Sequence, residues 1–386
     1  MQFAALATLA FIASFAAATP YVGICKLDDN YPNGSVCSIS QPTLFCPCDA
    51  DAVVKPTSRP HLKMLSRTEF DKLFVSQGPL IIDGALATEL ELRGYDLNHP
   101  LWSGKILRDN PKSIEEVHLD YYLAGADVAI TASYQAATRG LKDHFNIDDD
   151  GAKGLIKRSV QVAQDARGEA HRRGVDSTRT LLIAGSVGPY GAYLHDGSEY
   201  RGDYERTQDE FKDFHRPRIQ ALVEAGVDLL ALETIPTLGE IKALLSLLRE
   251  EFSDVTAWLS FTTRDIGRLA DGSSWKDVFD IVNAHRAQVV AVGVNCVPMV
   301  SVTETLQQMG LHTKIPLLCY PNSGETFDSA TNSWHGERPD DLLSKSSEQH
   351  FTTKPWTSAG AKLIGGCCRT GPAFIKAIAS DLRTPR

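Results

Sequence analysis

Positive charge is in short supply. The 386 residues carry 39 Lys and Arg against 48 Asp and Glu, a formal charge of −9, and no Lys/Arg-rich block occurs. Nucleic acid and anionic membrane surfaces repel such a chain, so neither is an expected partner. Methionine numbers only four, too few for a Met-rich recognition surface. Beyond Ala18 no apolar run is long enough to span a bilayer. No G-x-G-x-x-G loop follows a strand-like run, which excludes a separate dinucleotide-type domain. The eleven histidines are scattered, and no His-x-His pair marks the ligation of a zinc hydrolase. What remains, 43% hydrophobic and 23% charged residues, is ordinary globular composition.

The eight cysteines divide in two. Cys25, Cys37, Cys46 and Cys48 follow residues 1–20, whose apolar stretch ends in small residues as a secretory signal peptide does, although its start lacks Lys and Arg. A transmembrane anchor is the alternative, for which Phe3 to Ala18 is short. Residues 21–63 have no periodicity and read as a Cys- and Pro-containing extension, with disulfides or free thiols favoured over metal at Cys46 and Cys48. Acidic and basic residues balance within 1–63, so the whole negative charge belongs to residues 64–386.

From Met64 onward, short apolar runs alternate with amphipathic segments. The runs are Leu80–Ile82, Val128–Ala132, Leu181–Ala184, Leu229–Leu232, Ala257–Phe261, Val289–Val294, Pro316–Cys319 and Lys362–Ile364. Continuous Val/Ile/Leu/Ala runs without polar alternation are what parallel strands covered on both faces require. Between them, Asn110-Pro111 predicts a helix with Asn as N-cap and Pro at the first position, stopping at Gly125. Ala-Gly-Ala-Asp at 124–127 returns as Ala-Gly-Val-Asp at 225–228, the echo of a repeated βα unit. Eight such units predict a (β/α)8 TIM barrel with its chemistry at the C-terminal strand ends. A doubly wound open sheet is the alternative.

Those ends carry Asp83, Tyr134, Ser186, Glu233, Asn295-Cys296 and Cys367-Cys368. Vicinal Cys367 and Cys368 rarely pair with each other. Together with Cys296 they make a sulfur-rich site that favours zinc, with a fourth position left for substrate. Inert buried thiols are the alternative. Cys319, at the end of the seventh run, is expected to pack.

Gly293-Val294-Asn295-Cys296 and Gly365-Gly366-Cys367-Cys368 resemble the zinc signature of the homocysteine S-methyltransferase family. The resemblance extends to Asp83-Gly84-Ala85, Thr131-Ala132-Ser133-Tyr134, Gly185-Ser186-Val187-Gly188-Pro189 and Glu233-Thr234, across residues 64–386. It implies a zinc-dependent barrel that methylates homocysteine to methionine, with Zn2+ on Cys296, Cys367 and Cys368. Asp83 and Glu233 are then expected to hold the amino acid's ammonium group, with Tyr134 lining the pocket. The implied donor is a sulfonium, S-methylmethionine or S-adenosylmethionine, as in the short members of the family. Selenocysteine as acceptor, or a secreted non-catalytic barrel, are the alternatives. Zinc thiolates belong in a reducing cytosol and a signal peptide does not, so the two ends of the chain point to different compartments.

Overall fold

The structure, a computed structural model, describes residues 64–383 apart from 98, 100, 102, 325, 329–332 and 336–350. The signal-like segment and the four-cysteine extension lie outside the described residues. The chain divides into two units between Arg59 and Pro60, and the second contains all of the described residues.

Each apolar run is a strand: β1 Leu80–Ile81, β2 Val128–Ile130, β3 Leu182–Val187, β4 Leu229–Ile235, β5 Ala257–Phe261, β6 Val289–Pro298, β7 Leu317–Asn322 and β8 Ala361–Ile364. They form one sheet in the order β1-β8-β7-β6-β5-β4-β3-β2, with every neighbouring pair parallel. A parallel bridge between Ile82 and Val128 joins β1 to β2 and closes the ring. The fold is a (β/α)8 barrel, and closure excludes the open sheet. Every residue of β3, β4 and β5 is buried, because one face fills the barrel and the other lies under helices. Trp258 on β5 and Tyr320 on β7 meet edge to face with ring centroids 6.2 Å apart. Those strands are not neighbours, so the contact crosses the barrel interior.

The helix Pro111–Ala124 starts after Asn110 and stops at Gly125, whose φ of 118° is left-handed. Asn110 holds the N-cap position, but its side chain does not cap. Its Nδ2 donates instead to Tyr95 Oη at 2.6 Å, and Pro111, having no N–H, leaves one fewer donor to satisfy. The repeated Ala-Gly-x-Asp has an architectural use. Asp127 Oδ2 accepts from Ile81 N on β1 at 2.9 Å, and Asp228 Oδ2 accepts from Ile183 N on β3 at 2.7 Å. Each carboxylate thus ties the entry of its own strand to a neighbour. Arg179 and Arg383 pair with the first, and Arg167 with the second.

Four strands run past their apolar stretch, β3 to Val187, β4 to Ile235, β6 to Pro298 and β7 to Asn322. The apolar run ends where the dry interior ends, while backbone pairing continues into the barrel mouth. Ser186, Glu233, Cys296 and Tyr320 are therefore within strands rather than on loops after them. Among the described residues, no helix is long and apolar enough to cross a membrane.

Gly293 on β6 pairs with Leu318 on β7, and a Cβ at that glycine would lie 1.7 Å from Leu318 O. Backbone cannot yield there without breaking the barrel. Gly293→Ala is expected to cost more than ~3 kcal/mol or to prevent folding, measured by urea unfolding followed by circular dichroism. A stability equal to the parent's would contradict this register.

Candidate active site

The strand ends enclose a cavity of about 150 Å³ whose lining includes Asp83, Tyr134, Glu199, Glu233, Tyr320 and the sulfurs of Cys296, Cys367 and Cys368. The three cysteines, two carboxylates and tyrosine that the family resemblance assigns to the site are all in it. A wider surface cleft of about 440 Å³ near Arg139 and Asp213 holds none of them.

Cys296, Cys367 and Cys368 have their sulfurs within 4.8 Å of one another, and they are the cluster with metal-ligand spacing among the described residues. Cys296 and Cys367 meet at disulfide contact, bridging a sequence separation of 71 residues, and Cys296 Sγ lies 4.0 Å from Cys368 Sγ. A disulfide employs two of these sulfurs and leaves the third idle, whereas a thiophilic metal employs all three. A tetrahedral zinc with Zn–S of ~2.3 Å sets its sulfurs ~3.8 Å apart, so the residues fit that ion after a small separation of the touching pair. Burial pushes the Cys368 thiol up to about 12, so a neighbouring cation is needed to make it a thiolate. Cys319 is fully buried, lies outside the cluster and packs in the core.

Local backbone aims the thiols. Cys296 has φ 51° and Thr234 has φ 62°, left-handed values that cost a β-branched residue ~1–2 kcal/mol. Asn295 holds Thr234 there through two reciprocal bonds: its Oδ1 accepts from Thr234 N at 2.9 Å and its Nδ2 donates to Thr234 Oγ1 at 2.7 Å. The end of β4 is thereby pinned beside Cys296. On the other side, Cys367 N donates to Pro321 O at 2.8 Å, and Thr370 Oγ1 donates to Cys367 O at 2.7 Å. That turn needs Gly366, since a Cβ would come within 2.1 Å of Thr370 Oγ1.

Asp83 is 3% exposed, and its Oδ2 accepts from Ile130 N at 2.9 Å. Burial first, then the Glu233 charge, raise its carboxyl well above the usual range. Glu233 accepts from Ser186 Oγ and, at 3.1 Å, from Tyr320 Oη, while burial lifts its carboxyl to about 7. Tyr320 Oη also bonds Ser260 Oγ at 2.5 Å and accepts from Trp258 Nε1 at 3.2 Å, so the carboxylate rests on a network spanning β3, β5 and β7. Tyr134 hangs on a second one. Its carbonyl accepts from Arg218 Nη1 at 2.8 Å, and Arg218, buried beside His215 and Glu240, also donates to Gly188 O at 2.5 Å.

Sequence reasoning missed four residues. Glu199 and Tyr200 sit on a four-residue helix in the loop after β3, in a polar stretch with no periodicity to flag it. Tyr320 follows a core run and reads as packing. His118 is buried with Nδ1 3.9 Å from Asp83 Oδ2, and among the described residues neither ring nitrogen has a hydrogen-bond partner. Burial pulls its pKa down to about 4, so it stays neutral and leaves the Asp83 charge uncompensated.

The homocysteine S-methyltransferase family profile matches residues 80–382. A homocysteine S-methyltransferase of Escherichia coli is 49% identical over 308 residues, 79% of this chain and 96% of the relative. A selenocysteine methyltransferase of Astragalus bisulcatus is 41% identical, covering 77% and 90%. The crystal structure of the metallated form of the homocysteine methyltransferase MmuM from Escherichia coli superposes with a TM-score of 0.70 at 47% identity, covering 80% of this chain and 98% of that one.

The electrostatics of Glu233 generate a stability test. Its folded-state carboxyl lies near 7, above the ordinary glutamate value, so the folded protein binds more protons than the unfolded chain across that window. Stability without substrate is expected to fall as pH rises from 5 to 8, with Glu233 contributing up to about 3 kcal/mol of the loss. Glu233→Gln should flatten the curve by that amount in urea unfolding at the two pH values. An unchanged slope would mean that the carboxylate is ionised throughout.

Proposed function

The chain belongs to the homocysteine S-methyltransferase family, and from that premise we propose that residues 64–386 transfer a methyl group from a sulfonium donor, S-methylmethionine or S-adenosylmethionine, to the thiol of L-homocysteine. The convergence of three thiols and two buried carboxylates on one cavity carries this reading. Cys296, Cys367 and Cys368 would hold a zinc ion. When bound, that ion supplies the Lewis acidity that keeps an acceptor thiol ionised at neutral pH.

The chain's own residues do the remainder. Glu233 receives two hydroxyl donors and keeps lone pairs for an ammonium group. Asp83 offers a second carboxylate across the mouth, and the arriving ammonium favours ionisation of both. Ile130, Ala132 and Leu86 give the cavity an apolar side that excludes water. The reactants are held together there, with proximity supplying much of the rate. The product of the donor is a neutral thioether, so departure requires no proton from the protein. This agrees with a neutral His118 placed behind Asp83. The selenocysteine methyltransferase relative supports a second reading, in which a selenol is the acceptor.

Two measurements test the proposal. Cys367→Ser is expected to lose most bound zinc by elemental analysis and at least ~100-fold in methyl transfer, with an unchanged circular dichroism spectrum. Retained metal and full activity would remove the thiols from the site. Glu233→Ala is expected to weaken homocysteine binding by roughly thirtyfold or more in equilibrium dialysis while sparing zinc. Unaltered affinity would make Glu233 a structural residue.

A further inference from the structure

Three acids open into the cavity, while the acceptor brings one ammonium group. Asp83 and Glu233 account for it, and Glu199 is left over. Glu199 is 9% exposed, and its Oε2 is buried with no hydrogen-bond partner among the described residues. The position is built. Its carbonyl accepts from Thr262 Oγ1 at 2.7 Å, and Gly191 packs so tightly that a Cβ there would meet Glu199 N at 2.7 Å. Among the described residues, the cavity lining contains no Lys or Arg. A buried acceptor without a donor is costly, and none of the described residues donates to this oxygen, so it is open to a hydrogen-bonding cation brought by a ligand. Tyr200, the next residue on the same short helix, and Tyr134 line the cavity with it. Glu199, both tyrosines and the three cysteines thus share the lining of one cavity.

We infer that Glu199 binds the α-ammonium group of the methyl donor, with Tyr134 and Tyr200 forming the wall along which the donor's sulfonium faces the thiol cluster. This rests on the methyl-transfer reading above and names the donor's subsite within it. Of the two cations on an amino-acid sulfonium, only the ammonium carries N–H groups and can satisfy Oε2. The sulfonium, which has none, suits an aromatic face. In the transfer, the bond from methyl to donor sulfur breaks with its electron pair staying on that sulfur, and a pair on the acceptor sulfur forms the new bond. The sulfonium charge disappears, but the ammonium charge does not. Contact with Glu199 is the same before and during the step, so its loss raises KM and leaves kcat in place.

The test uses the full-length, zinc-loaded protein, with S-methylmethionine and the trimethylsulfonium ion, which lacks an ammonium, as donors. Glu199→Gln is expected to raise both the KM and the calorimetric Kd for S-methylmethionine by roughly tenfold to a hundredfold. Its kcat, its homocysteine affinity and its kcat/KM with trimethylsulfonium should match the parent's. Unchanged S-methylmethionine binding overturns the assignment, as does an equal loss with trimethylsulfonium, which would make Glu199 a reader of the sulfonium. Concurrent loss of homocysteine affinity overturns it too, by showing general damage to the cavity. A parent that binds S-methylmethionine but methylates nothing would strike the methyl-transfer reading alone, and the calorimetric comparison of the two proteins would still decide Glu199.

Discussion

Parallel register between β6, β7 and β8 is the constraint on which the site depends. Cys319 on β7 pairs with Val294 on one side and Ile364 on the other. Cys296 lies two residues beyond the first of these partners, and Cys367 three beyond the second. Both therefore clear the barrel interior, and their sulfurs meet. Cys319 sits at the level of the partners themselves, too deep to join. Shifting either pairing by one residue would turn a sulfur away from the mouth.

Register alone leaves the thiols unaimed, and strained residues finish aiming them. Left-handed backbone at Thr234 and Cys296 is unfavourable for both side chains, and the Asn295 amide holds the first of them by two bonds. Strain of this kind persists only where surrounding structure over-determines it. Here the surroundings are the closed barrel, the Gly365-Gly366 approach to β1 and the Thr370 turn.

The cavity gathers acidic groups and keeps the protein's own cation at a distance. Arg218 is buried behind Tyr134 and engaged with backbone carbonyls and His215. Asp83, Glu199 and Glu233 all have raised pKa values, chiefly through burial. That unfavourable arrangement is relieved by a ligand carrying positive charge. Such a site selects ligands by charge as well as by shape.

Local pattern determined much of this protein. The eight uninterrupted apolar runs are the eight barrel strands, since a strand covered on both faces has no polar alternation to hide it. The cysteine pairs and the acids at strand ends were equally legible, because a barrel sends every such end to one mouth. Asn110 shows the limit at short range: its type and position suggested a cap, but Tyr95, fifteen residues away, took its side chain. Cys296, Cys367 and Cys368 were legible as a group, but tertiary structure decided how closely their sulfurs meet, because depth along a strand depends on register with neighbours distant in sequence. It also decided that Glu199, in an aperiodic polar loop, turns inward and loses its water. Burial is a property of what packs around a side chain, and nothing in the order of residues near Glu199 records it.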